Sequence, residues 1–376
     1  DQTLLRIIGS YPPFLTNLVN GSVAHQGRRR VFSCPPFQQS SAVQQPGSLP
    51  DIQDDPYKLT QDVLTELFSD IRKELWVPME HLKQISRYYF DGNGKIFRPM
   101  LVALVSRAVN YHMHDTREVL ESQREIALVA EMIHTASLVH DDVIDTSDTR
   151  RGKASVNLLC GQNKAILAGD FILSKAAKIL ARIGNEEVVI MLTQVLLDLV
   201  QGELMQLGSK EDAGERFSHY LQKTFMKTAS LMAYACKAVA YLGGADKTLL
   251  EGAFQYGRNL GIAFQLVDDL LDFVSSQDEM GKPAAADLKL GLATSPVLFA
   301  CEKFPELNTL IMRRFSHPGD VEQAYEAVMK SEGLEQTKVL AQKHCNEALR
   351  HIDSWRESPE KRALVTIMNK VLNRKK

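Results

Sequence analysis

The spacing of apolar residues constrains this chain more than any other feature. From Tyr57 to about Asn373 they recur every three or four positions, in stretches such as 126–144, 188–207 and 249–273. That is the period of an amphipathic helix, and strand-like alternation is hard to find. Breaks fall where Gly, Pro or Asn cluster, at 91–94, 152–163, 208–214, 243–246, 280–283 and 317–319. Roughly ten or more helices cut in this way predict one all-α domain over residues 57–376, a single large helical bundle. No repeat of the solenoid kind is present.

Composition narrows the function. With 44% apolar and 24% charged residues the chain resembles an average globular protein, which excludes wholesale disorder and allows a large core. The 44 basic and 46 acidic residues nearly cancel, leaving a net charge of −2. A chain that grips nucleic acid nonspecifically would be basic, so no nucleic-acid partner is expected. Glu, Asp, Lys or Arg interrupts each apolar stretch before the roughly 18 to 20 residues that a bilayer requires, so no transmembrane segment is expected. Cys34, Cys160, Cys236, Cys301 and Cys345 show no C-x-x-C spacing, which argues against a zinc knuckle or a disulfide framework.

Residues 1–56 differ from the rest. They hold one acidic residue before Asp51, the run Arg28-Arg29-Arg30, and a Ser/Gln/Pro-rich tract over 35–50. This composition reads as a disordered leader of the organelle transit kind, cleaved after the arginines. A disordered tail without an address is the plainer alternative.

One acidic pattern occurs twice. Asp141-Asp142-Val143-Ile144-Asp145 and Asp268-Asp269-Leu270-Leu271-Asp272 each carry D-D-x-x-D at the end of an apolar helical run. On a helix, positions i and i+4 share a face, so Asp141 with Asp145, and Asp268 with Asp272, present paired carboxylates about a turn apart. Like charges so placed repel and call for a cation between them; magnesium fits, because it takes oxygen ligands from one or two carboxylates and from substrate phosphates. A solvated helix face is the alternative reading. At typical Asp usage chance supplies about 0.08 such triads in this length, so two by accident is on the order of 0.003, which favours metal binding.

Basic residues cluster where helices start. In Gly92-Asn93-Gly94-Lys95-Ile96-Phe97-Arg98-Pro99 the proline suits a first helical position, and Lys95 and Arg98 stand near a helix N-terminus, where anions bind. Arg150-Arg151-Gly152 follows nine residues after Asp141. Alone, each of these is an ordinary surface turn. So are Lys227, Thr228, Gln265 and Lys282, and His134 in its apolar run is an ordinary core histidine. His134 nonetheless lies two helical turns before Asp141, on nearly the same face.

Taken in order, these elements resemble the trans-isoprenyl diphosphate synthases. The resemblance rests on both D-D-x-x-D clusters, G-K-x-x-R-P, the arginine pair, Lys227-Thr228, Phe264-Gln265 and Gly281-Lys282-Pro283, and it covers residue 55 to the C-terminus. Within the family the chain is most similar to the animal long-chain enzymes that supply the ubiquinone side chain. The resemblance implies the all-α isoprenoid synthase fold with a central cavity. It implies three magnesium ions, replaceable by manganese, with two on Asp141 and Asp145 and a third on Asp268. Asp142, Asp269 and Asp272 assist through ligands or waters. Allylic diphosphate is implied to lie on Arg150, Lys227, Thr228, Gln265 and Lys282, and isopentenyl diphosphate on Lys95, Arg98, His134 and Arg151. His140 buttresses the first cluster.

Chain length is expected to follow the residues before Asp141. Ala136, Ser137 and Ala130 are small where short-chain members carry an aromatic plug, so a long product of about eight to ten isoprene units is implied by the resemblance. The resemblance also implies a mitochondrial matrix location and a homodimer core or a hetero-oligomer with a second, related subunit. Peripheral membrane contact for product release is a further expectation. One departure stands out: the family often has G-K-x-T after the second cluster, whereas this chain has Gly291-Leu292-Ala293-Thr294, lacking a diphosphate-contacting lysine.

Four other readings compete. A di-iron bundle needs two Glu-x-x-His motifs, and only Glu131-Met132-Ile133-His134 fits. A terpene cyclase has no use for an isopentenyl site. A non-catalytic partner subunit conflicts with two intact aspartate clusters, and a shorter-chain synthase conflicts with the small residues before Asp141.

Overall fold

A computed structural model describes residues 54–91, 96–208, 213–274 and 285–374. The leader through residue 53, Cys34, Lys95 and Lys282 lie outside the described residues.

After a single turn at Lys58–Thr60, the chain forms α1 (Gln61–Leu64), α2 (Leu67–Glu74), α3 (Glu80–Arg87), α4 (Phe97–His114) and α5 (Glu121–Ile144). A hairpin of β1 (Thr149–Arg150) and β2 (Lys153–Ala154) leads into α6 (Val156–Cys160), α7 (Gln162–Ile183), α8 (Glu186–Leu207) and α9 (Ala213–Thr224). A π turn at Phe225–Ala229 joins α9 to α10 (Ser230–Leu242), which is followed by α11 (Lys247–Val274). The remainder comprises α12 (Ala286–Lys289), α13 (Ser295–Ala300), α14 (Leu307–Met312), α15 (Asp320–Met329), α16 (Gly333–Ile352) and α17 (Pro359–Leu372). The fold is all-α, as the periodicity predicts.

At the centre stands α10. From Leu231 to Ala240 its residues are buried except Tyr234 and Lys237, which are partly exposed. It touches α4, α5, α8 and α11; α11 lies in turn against α16, and α5 against α7. A smaller apolar cluster around Phe273, Val297, Leu310 and Val328 fills the space under α12–α15.

Four local features differ from the sequence reading. Helix α4 begins at Phe97, so Pro99 is its third residue; the missing N–H still falls among the four donors a helix leaves unpaired at its start. Arg150 and Lys153 pair across a two-residue turn in which Arg151 (φ 54) and Gly152 (φ 73) are both left-handed, the twist that suits a tight hairpin. Two-residue strands are too short for alternation to register. Gly184, left-handed at φ 68, ends α7. Asn185 then caps α8 by accepting from Val188 N at 3.1 Å, a break that the expected set did not include. Finally, Glu186–Gln206 is long and apolar enough to cross a membrane, by length and composition. Asp198 and Glu203 interrupt it as expected, but they do not lower its mean hydropathy enough to set it apart from such a helix. Both carboxylates are anchored inside the bundle, Asp198 on Gln194 and Ser230 and Glu203 on Lys227.

Two glycines let α11 approach the π turn and α10. A Cβ at Gly261 would sit 2.4 Å from Ala229 Cα, and one at Gly257 2.5 Å from the Met232 carbonyl oxygen. Alanine is the better helix former by about 1 kcal/mol, but backbone contacts this short force the helices apart. Gly261→Ala is therefore expected to lower stability by about 1–3 kcal/mol net, read from urea unfolding followed by circular dichroism.

Candidate active site

Both aspartate clusters end a long helix. Asp141 and Asp145 occupy the last turn of α5, where the Asp145 N–H donates to the Asp141 carbonyl at 2.8 Å. Asp268 and Asp272 occupy the last turns of α11. Helix C-termini carry partial negative charge, so each cluster sits where carboxylates are least welcome. Facing the first cluster, α8 brings Glu203 and the π turn brings Lys227. The Lys227 ammonium pairs with Glu203 and donates to Gln206 Oε1 at 3.1 Å. Burial pushes the Asp141 carboxyl up to about 6; Lys227 opposes this, and the charges of Glu203 and Asp145 add to it. Asp145 is raised as well, chiefly by burial.

This donor set fits magnesium. Its oxygens are hard carboxylates, crowded and short of positive charge, and the one ammonium among them stands near the place a metal would neutralise. Among the described residues no three His, Cys, Asp or Glu side chains converge on one point. Magnesium usually takes one or two protein carboxylates and keeps waters and phosphate oxygens for the rest of its shell, and Asp141 and Asp145 are the pair that would serve.

The other aspartates are engaged in the scaffold. Asp142 is fully buried, accepting from Arg150 at 2.6 and 2.8 Å and from Tyr89 at 3.1 Å. Arg150, expected on the allylic diphosphate, is thus turned onto Asp142. Asp269 is also buried and accepts from Tyr220, from Gln265 Nε2 at 3.0 Å and from Ser295 N at 3.3 Å. Burial raises its carboxyl to about 6 against those hydrogen bonds. Asp272 caps α12, accepting from the N–H groups of Ala286 and Asp287 at 3.0 and 3.1 Å. Asp268 is half-buried and accepts from Arg374 at 2.6 Å. The Arg374 guanidinium also lies 4.5 Å over the Phe264 ring. Thr228 donates to Gln265 Oε1 at 3.0 Å, linking the π turn to Asp269 through one glutamine.

A second group of charges gathers where α4 meets α5. Arg98 is held down at about 10 by burial, although Glu131 and Asp268 attract it, and its buried Nε has no hydrogen bond among the described residues. His134 is held well below its ordinary value by burial and by Arg98, Arg151 and Arg150, so it is neutral at pH 7. Glu131, fully enclosed, is pushed up to about 7 by burial against the pull of Arg98 and Arg151. Arg151 is exposed at the hairpin tip. Arg98, His134 and Arg151 therefore lie in one electrostatic neighbourhood. The structure adds Glu131 there, and Glu203 and Arg374 at the acidic pairs, none of them among the expected site residues. Ala130 and Ala136 are fully buried in α5, and Ser137 is half-buried, its hydroxyl donating to the His134 carbonyl at 2.9 Å. His140 packs on α7 beside Gly169, its Nε2 3.2 Å from the Ile166 carbonyl oxygen.

A family model described as polyprenyl synthetase matches residues 79–328. The chain belongs to this family. It is similar to the all-trans-polyprenyl-diphosphate synthase of Homo sapiens, 60% identical over 86% of this chain and 78% of the relative. A probable mitochondrial hexaprenyl pyrophosphate synthase from Neurospora crassa is 40% identical over 90% of this chain and 85% of its own length. Among solved structures, a polyprenyl synthase from Caulobacter crescentus, complexed with calcium and isoprenyl diphosphate, is 27% identical with a TM-score of 0.77. The match covers 88% of this chain and 100% of the Caulobacter chain. The protein is a prenyltransferase of the isoprenoid synthase fold, similar to long-chain all-trans synthases.

Glu131 yields a pH prediction. Its folded pKa of about 7 lies above the ordinary 4.5. The folded state therefore holds this proton more tightly, and the stability it contributes is full below about 4.5 and lost as pH rises through about 7. Glu131→Gln, which keeps the neutral form, should gain on the wild type across that interval in thermal melts. A melting difference that stays constant with pH would remove Glu131 from the charge cluster.

Proposed function

We propose that the chain is the catalytic subunit of a long-chain all-trans-polyprenyl diphosphate synthase. It would condense isopentenyl diphosphate head-to-tail onto an allylic diphosphate and supply the ubiquinone side chain in the mitochondrial matrix. The observation that carries the site assignment is Asp141 and Asp145 facing Glu203 around the Lys227 ammonium. The acid-poor, arginine-bearing leader and the mitochondrial name of the Neurospora relative support the location.

Asp141 and Asp145 would hold two magnesium ions and Asp268 a third. When bound, magnesium supplies positive charge to the departing diphosphate. Lys227, Thr228 and Gln265 bind that diphosphate from the other side, and Lys227 holds a fixed charge where negative charge grows. The allylic carbon–oxygen bond breaks, and the double bond of isopentenyl diphosphate attacks the resulting cation. A carbon–carbon bond forms, a proton is lost to the departed diphosphate, and the chain lengthens by one isoprene unit. Arg98, Arg151 and neutral His134 orient isopentenyl diphosphate, with Arg98 Nε as the uncommitted donor. The apolar packing of α4, α5 and α10 keeps water from the carbocation. No side chain acts as a nucleophile.

A partner subunit is part of this reading. Leu197, Val200 and Leu204 on α8 and Leu167 on α7 are each between 57% and 64% exposed, apolar surface of the kind a partner covers. This face supports pairing with a second copy or a related subunit.

Asp141→Ala and Asp268→Ala should each reduce elongation of a labelled farnesyl or geranylgeranyl primer by on the order of 10³-fold, several kcal/mol of transition-state stabilisation. Ala136→Phe should shorten the products on reversed-phase analysis while leaving the first condensation intact. Full-length products from that variant would remove α5 as the determinant of length.

A further inference from the structure

A cleft opens between α9 and the turn that joins α12 to α13. Gln206, Tyr220, Lys223, Leu292, Ala293 and Arg314 line it. Gln206 accepts the Lys227 hydrogen bond, so the cleft shares a wall residue with the neighbourhood of the acidic pair. Lys223 precedes Lys227 by four residues across the junction of α9 and the π turn.

Lys223 is half-buried. Its ammonium makes no hydrogen bond or ion pair among the described residues, and its one close partner is the Tyr220 ring, 5.6 Å from ammonium to centroid. Burial holds its pKa below the ordinary value. Asp269, Asp287 and Glu203 favour its charge, and Lys227 opposes it. A desolvated ammonium without a carboxylate or carbonyl partner is costly to keep. An anion arriving between the two acidic helices would relieve that cost. Leu292, an uncharged residue, lines the same cleft.

We propose that Lys223 is a further binding residue for the allylic diphosphate, supplying positive charge from the α9 side of the cleft. This rests on the proposed placement of the allylic diphosphate between the acidic pairs. Lys223 then adds a second cation to Lys227 on one side of the leaving group. The isopentenyl end, held by Arg98 and His134, lies outside its reach.

The test uses the full chain with its partner, if one is required, and an allylic primer in steady-state elongation. Lys223→Met should raise KM for the allylic diphosphate at least tenfold, about 1.4 kcal/mol, with KM for isopentenyl diphosphate within twofold. Binding of inorganic pyrophosphate with magnesium, measured by titration calorimetry, should weaken to a similar degree. The double variant Lys223→Met with Leu292→Lys should recover both values to within threefold, since a lysine at 292 enters the same cleft. Lys223→Gln serves if the methionine variant melts early. An allylic KM within twofold of wild type in a folded variant overturns the proposal. So does a shift confined to isopentenyl diphosphate, or a double variant that fails to recover. Asp141→Ala in the same assay separates the two readings: retained elongation there would sink the site assignment, whereas its loss beside an unaffected Lys223→Met would sink only the role of Lys223.

Discussion

The structure is organised around carboxylates concentrated at the negative ends of its two longest described helices, α5 and α11. Helix dipole, burial and mutual repulsion act in the same direction there, and each raises the energy of the charged form. In the chain alone, Lys227 answers Asp141 and Glu203, and Arg374 answers Asp268. These cations are single ammonium or guanidinium groups. Divalent metal with a diphosphate brings more charge and more oxygen ligands to the same space, so the arrangement is set up for a bound state of higher charge density.

Within each D-D-x-x-D the two adjacent aspartates have opposite tasks. The first of each pair faces a charged neighbour: Asp141 lies in the field of Lys227 and Glu203, and Asp268 accepts from Arg374. The second, Asp142 or Asp269, is buried and satisfied by a tyrosine hydroxyl plus one or two nitrogen donors. Adjacent helical residues point about 100° apart, so one acid facing a cleft obliges its neighbour to face the protein. The buried acid therefore recruits Tyr89 and Arg150 in the first cluster, and Tyr220, Gln265 and Ser295 in the second. These contacts tie α5 to the hairpin and α11 to α9 and α13, and they hold the outward aspartates in place.

The π turn links packing to chemistry. Gly261 allows α11 to come within backbone contact of Ala229, and that closeness brings Thr228 against Gln265. An extra residue in a helical turn rotates the side chains that follow. Lys227 and Thr228 sit inside this turn, and the rest of α9 keeps ordinary helical geometry.

Much of this was open to a reader of the sequence. The period of the apolar residues determines helices throughout, and two D-D-x-x-D clusters determine paired carboxylates, because a 3.6-residue turn leaves positions i and i+4 no choice of face. Which residues oppose those carboxylates belongs to the tertiary structure. Glu203 lies in an apolar helix with no local mark, Glu131 appears only as a core position, and Arg374 is 106 residues from Asp268 in sequence. Arg150 pairs with the buried Asp142, a contact that its place in an arginine pair does not reveal. Local spacing decides the direction of a side chain from its own helix; what it meets there depends on how distant helices pack, and only the fold carries that information.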